Sequence, residues 1–155
     1  MMQSAAAFAG ESGWAPAFPP SRGAGRATYS TRRPRGLVIE DEGRVRDVVC
    51  EMLHVIGWEV TAAASGIEGL ARVELDAYDL VLTDLAMPGL SGWEVVAAVR
   101  QRGPVAGVIV MAATTTAHDA ARARELGLGL LQKPFGLRAL ATALGRSLAP
   151  DDRFR

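Results

Sequence analysis

Short apolar runs that alternate with segments of helical period predict an open, doubly wound α/β fold, (βα)5, with five parallel strands and helices on both faces of the sheet. Three features carry that prediction. The apolar runs are short, as buried strands are, and too short to stand as helices. The stretches between them repeat apolar residues every three to four positions. A serine followed three residues later by a glutamate stands after two of the runs, where a helix has to open.

Residues 1–34 are rich in Ala, Gly, Pro, Ser and Arg and hold no sustained period, so they read as a disordered tail whose arginines, Arg22, Arg26, Arg32 and Arg33, form a solvated basic arm. From residue 35 the pattern becomes that of a domain, which extends to residue 149 and leaves 150–155 as a short tail. Strand one is Leu37 to Glu40. Val45, Val48, Val49, Met52 and Ile56 follow at i, i+3, i+4, i+7 and i+11 as one apolar helix face, and Gly57 closes the helix. Cys50, beside that stripe, reads as a small core hydrophobe. Glu59 to Ala63 is strand two, and Ser65 with Glu68 caps the next helix. Leu80 to Thr83 is strand three; it delivers Asp84 to a Pro-Gly turn, after which Ser91 with Glu94 opens the third helix. Val108 to Met111 is strand four, and the threonine run 114–116 is the N-cap region for "AHDAARARELG". Leu128 to Gln132 is strand five, and Leu137, Leu140, Ala141, Leu144 and Leu148 set the last helix.

Composition limits the function classes. The 155 residues carry a formal net charge of zero, so no global basic field points to nucleic acid. The longest apolar run, Val105 to Ala113, is too short to span a bilayer. One cysteine forms no internal disulfide, and the chain has no Asn for glycosylation, so a reducing cytoplasm is expected. His54 and His118 lack metal-ligand spacing, and the glycine-rich nucleotide motifs and the GxSxG elbow are absent.

In an open doubly wound sheet, ligands bind at the carboxyl ends of the strands where strand order reverses, which in the order 2-1-3-4-5 lies between strands one and three. Glu40 and Asp41 end the first and Asp84 the third, so the carboxylates converge there. Two like charges about 4 Å apart repel by about 4 kcal/mol at an effective dielectric near 20, so the cluster calls for a cation. Mg2+ suits oxygen ligands combined with a substrate phosphate. Strand five brings Lys133 to the same rim. A metal and an ammonium facing an Asp are equipment for receiving a phosphoryl group, with Asp84 as nucleophile.

"LVIEDE", "LVLTDLAMPGLSG" and "KPF", in this order and spacing, make residues 36–149 resemble the receiver domain of bacterial two-component response regulators, the flavodoxin-like CheY-like fold. The resemblance implies that Asp84 accepts phosphate from a phosphohistidine, and that Asp41, Asp84 and the backbone carbonyl of Ala86 ligate Mg2+. Glu40 would act through a metal-bound water, Lys133 would pair with phosphoryl oxygens, and the Lys133-Pro134 peptide would be cis. The implied partners are a histidine kinase or phosphotransfer protein and a downstream protein that meets the fourth helix, fifth strand and fifth helix. No direct nucleic-acid or membrane contact is expected, and a monomer or weak dimer is.

The resemblance breaks at two places. Ala112 stands where the family has Ser or Thr at the end of strand four, and Leu130 stands where it has the coupled aromatic. The segment from Gly127 to Lys133 is also one residue shorter than usual. These departures keep a phosphorylation-independent adaptor as the alternative to a phospho-switch. The close of the chain soon after the fifth helix suggests a stand-alone receiver whose only turnover is slow loss of its own phosphate. A hydrolase or nucleotide binder is disfavoured by Ala86, which stands where a second catalytic acid would be needed.

Overall fold

A computed structural model describes residues 32–103, 105 and 107–148. The expected tails at 1–34 and 150–155 lie outside the described residues, apart from 32–34. Ten elements alternate without interruption: β1 (Arg35–Ile39), α1 (Gly43–Val55), β2 (Glu59–Ala63), α2 (Gly66–Leu75), β3 (Leu80–Asp84), α3 (Gly92–Gln101), β4 (Gly107–Ala112), α4 (Ala117–Leu126), β5 (Gly129–Gln132) and α5 (Leu137–Ser147). All strand pairs are parallel, and the sheet order is β2-β1-β3-β4-β5. The predicted fold class is therefore the one observed.

The strands read as unbroken apolar runs because both faces of the sheet are covered. β3 and β4 are buried at every position. Successive side chains point to opposite faces. Val38, Leu82, Ile109 and Met111 thus pack beneath α1 and α5 with Val49, Leu53, Leu140 and Leu144. Leu37, Ile39 and Val81 pack beneath α2 and α3 with Val95 and Val99. A third cluster joins Val96 of α3 to Val108, Val110 and Ala112 of β4, with Trp93 and Leu130 packed against it.

Two local expectations need correction. Val48 is 54% exposed, and Leu53, which the periodic reading passed over, is fully buried. The inward face of α1 is Val45, Val49, Met52, Leu53 and Ile56; Val48 lies off it, and only the packing angle of the helix separates two positions that are equally apolar in sequence. The Ser65 hydroxyl accepts from the Glu68 N–H as expected, but the Glu68 carboxylate reaches past Ser65 to the Ala64 N–H at 2.9 Å. Ser91 with Glu94 is a complete reciprocal cap, and so is Thr116 with Asp119. Gly57 follows α1 at φ +96°, a conformation that a side chain would strain. Cys50 is half-buried against the α1 core, where burial, followed by the charge of Asp47, pushes its thiol pKa up.

Candidate functional site

The register of the sheet brings the acids together. Ile39 pairs with Thr83, so Glu40 and Asp84 follow side by side at the carboxyl ends of β1 and β3. On the other flank Asp84 pairs with Met111 and Ala112 with Gln132. Lys133 comes next, and its backbone N–H donates to the Ala112 carbonyl at 2.8 Å, which seats the lysine at the same rim. The Lys133-Pro134 peptide is cis, as the resemblance implied.

Glu40 and Asp84 are 1% and 4% exposed, whereas Asp41 is open to solvent. Lys133 Nζ donates to Glu40 Oε2 at 2.9 Å and lies 3.3 Å from Asp84 Oδ2. Glu40 Oε1 accepts from the Glu42 N–H at 3.2 Å, so both Glu40 oxygens already have donors. Asp84 Oδ1 is different: it is buried and has no hydrogen-bond partner among the described residues. A buried carboxylate oxygen without a donor is costly unless a cation or another group satisfies it.

Charge is out of balance here. Burial raises the Glu40 pKa above its ordinary 4.5, and Asp84's charge adds to that, against the hydrogen bonds from Lys133 and Glu42. Burial alone would lower the Lys133 pKa, but the hydrogen bond to Glu40 and the charges of Asp84 and Glu40 outweigh it and raise it. Burial thus opposes charge on both groups, and Glu40 and Asp84 together hold the Lys133 ammonium in place.

Glu40, Asp41 and Asp84 each bring an oxygen to within 4.8 Å of the others. Oxygens on one octahedral Mg2+ at 2.0–2.1 Å stand roughly 3 to 4.2 Å apart, so a small inward shift would let two of them share an ion. The unpartnered Asp84 Oδ1 and the accessible Asp41 suit that role, and the doubly engaged Glu40 suits a contact through water. The residues fit the metal. Ala86, whose carbonyl the resemblance made a third ligand, is exposed two residues beyond Asp84 on the same rim.

Two supporting residues, Arg46 and Gly92, escaped the sequence reading. Arg46 of α1 reaches back to donate to the Glu40 carbonyl at 2.9 Å, fixing the turn that carries the acid pair. An arginine in the first turn of a helix, where the dipole disfavours cations, was the available signal. Gly92, the first residue of α3, lies so near the end of β3 that a Cβ would collide with the Asp84 carbonyl and come within 2.6 Å of Leu85 Cα. Its N–H donates to the Leu85 carbonyl at 2.9 Å. Trp93, beside it, has the Arg122 guanidinium over its ring at 4.5 Å, which links the first turn of α3 to α4. In the threonine run that follows Ala112, Thr116 caps α4 as expected and Thr115 donates to Gln132 Oε1 at 3.0 Å.

With this geometry in place, comparison with known proteins decides the family. Residues 37–145 match the sequence profile of the response regulator receiver domain. The chain belongs to that family. This receiver is 34% identical over 119 residues to the DNA-binding transcriptional regulator NtrC of a Bradyrhizobium strain, a match covering 76% of this chain and 25% of the relative. It is 35% identical over 109 residues to the sensory transduction protein RegX3 of Mycolicibacterium smegmatis, covering 67% and 46%. Its structure matches the chemotaxis protein CheY4 of Vibrio cholerae with a TM-score of 0.69 at 28% identity, covering 76% of this chain and all of that one. This receiver thus spans between about a tenth and a half of the length of the curated relatives it matches. In it the two departures from the family pattern are apolar packing positions: Ala112 is 5% exposed, and Leu130, half-buried, packs against the same cluster.

Proposed function

We propose that this receiver accepts a phosphoryl group on Asp84 from the phosphohistidine of a histidine kinase or phosphotransfer protein, and that it signals through protein contact. The observation that carries the reading is the buried, donorless Asp84 Oδ1 between two other carboxylates and Lys133. The bond from the donor's imidazole nitrogen to phosphorus breaks as an Asp84 oxygen bonds to phosphorus. The nitrogen keeps the electron pair and takes a proton from solvent. Lys133 stands where its ammonium would offset charge on the phosphoryl oxygens, and Arg46 and Gly92 hold the two turns that aim the acids. Mg2+, held by Asp41, Asp84 and the Ala86 carbonyl with Glu40 behind a water, would supply the remaining neutralisation of carboxylate and phosphoryl charge.

The proposal includes a cytoplasmic location and output through α4, β5 and α5. No helix among the described residues is long and apolar enough to cross a membrane. No catalytic turnover is proposed beyond slow hydrolysis of the acyl phosphate. Phosphotransfer from a radiolabelled phosphohistidine protein tests the reading: label should move to the wild-type chain as a hydroxylamine-labile adduct and leave Asp84→Asn unlabelled. Label on both chains, or on neither, would overturn it.

One observation favours a second reading. Ala112 supplies no hydroxyl to a phosphoryl group, and Leu130 is no aromatic switch, so a phosphorylated state loses a hydrogen bond to a charged group worth roughly 1.5–3 kcal/mol. A receiver-like adaptor would bind its partner equally well with Asp84 phosphorylated, unphosphorylated or replaced by Ala. Partner titrations across those three states separate the two.

A further inference from the structure

A groove of about 940 Å³ runs along the outer edge of the sheet between α4 and α5. Alanines form its walls, Ala120 and Ala123 from α4, Ala139 and Ala143 from α5. Its floor is β5 and the residue before it, where Leu130 and Leu128 are only half-buried. Three exposed arginines also line it, Arg124, Arg138 and Arg146, and among the described residues none of them takes part in an ion pair. Arg138 and Arg146 lie eight residues apart on one face of α5, about 12 Å along its axis.

The zero net charge of the chain conceals a division. Residues 35–111 carry twelve carboxylates against six arginines, net −6, whereas residues 112–148 carry two carboxylates against five Lys and Arg, net +3. From residue 126 to 148 there is no Asp or Glu at all. Over this apolar trough the three guanidiniums are engaged by no carboxylate among the described residues, which leaves them free to meet one from a partner.

We propose that this groove docks an acidic segment of a partner protein, its apolar side against the alanines and leucines and its carboxylates on Arg124, Arg138 and Arg146. The inference rests on the reading of α4, β5 and α5 as the output face and adds the chemistry of what that face recognises. Alanine walls let a partner backbone approach closely, and Arg suits planar, bidentate recognition of carboxylates. A nucleic acid is the poorer occupant. An extended polyanion would meet the field of the acidic part of the domain beyond the groove, while a short segment need not, since screening acts over about 8–10 Å.

The test uses a fluorescein-labelled peptide of about 16 residues, long enough as a helix to span both α5 arginines, built from Ala and Leu with glutamates eight residues apart. A glutamine version and a lysine version serve as controls. The full chain should bind the glutamate peptide in anisotropy titrations, with amide shifts at Leu128, Leu130 and Ala139. The double variant R138E/R146E should bind it on the order of tenfold or more weaker and bind the lysine peptide instead. Equal binding of the glutamine peptide, indifference to the charge reversal, or displacement of the peptide by a single-stranded oligonucleotide of equal charge would overturn the proposal. Acetyl phosphate labelling of Asp84 in the same samples shows that the variant is folded and separates two failures. Labelling without peptide binding overturns the docking chemistry alone, whereas peptide binding without labelling overturns the phosphoacceptor reading and leaves the docking standing.

Discussion

Replacing Asp84 by Asn should stabilise this receiver in the absence of divalent metal. With oxygens as much as 4.8 Å apart, Asp84 and Glu40 repel by about 3.5 kcal/mol at an effective dielectric near 20. Asp41 adds about 1 kcal/mol, reduced because it is open to solvent. Lys133, 3.3 Å from Asp84, returns about 5 kcal/mol on the same scale. Pair terms therefore nearly cancel, and what is left is the burial of a charged group with one donorless oxygen. Even a partial relief of that penalty gives about 1 to 2 kcal/mol in favour of the variant. Urea unfolding in a chelating buffer measures it. Adding Mg2+ should then stabilise the wild type by RT ln(1 + [Mg2+]/Kd) and leave Asp84→Asn almost unmoved, closing or reversing the gap. A variant less stable than wild type in chelator, or an equal response of both proteins to Mg2+, would refute the claim that the carboxylates are held together for a cation.

Further outcomes follow from single residues. Gly92→Ala drives a methyl into the backbone at the end of β3 and should cost about 1–3 kcal/mol in urea unfolding and slow phosphorylation of Asp84; an unchanged midpoint would show that the turn has room. Ala112→Thr restores a hydroxyl at the end of β4 and should lengthen the lifetime of the acyl phosphate or widen the partner's preference for the phosphorylated form about tenfold, followed by intact mass after donor removal. The Ser91 backbone N–H and hydroxyl hold the Glu94 pKa below its ordinary 4.5, so Glu94 contributes stability above that value and loses it as pH falls through the lower folded pKa. The melting-temperature gap between wild type and Glu94→Gln should accordingly narrow below pH 4.5; a constant gap would mean the cap is not made in solution.

The sheet was legible in the sequence because strands buried on both faces leave apolar runs such as Leu80–Leu82, and the site because Glu40, Asp41, Asp84 and Lys133 fall at strand ends where register must bring them together. Helix faces were less legible. Val48 and Leu53 are both aliphatic on α1, and which one is buried depends on how the helix sits on the sheet, a tertiary fact. Arg46 and Gly92 were hidden for another reason. What they do is set by backbone atoms, the Glu40 carbonyl and the end of β3, which have no letter in the sequence. The basic groove was masked by a sum, since a net charge of zero does not show that its contributions are segregated.

The central claim is that Asp84 is a metal-dependent phosphoacceptor. Intact-mass analysis after incubation with acetyl phosphate tests it most directly, comparing wild type, Asp84→Asn and Lys133→Met in Mg2+ and in chelator. One phosphoryl group should appear on the wild type in Mg2+, little in chelator, little on Lys133→Met and none on Asp84→Asn. The same adduct on Asp84→Asn, or none on the wild type in saturating Mg2+, would contradict the account.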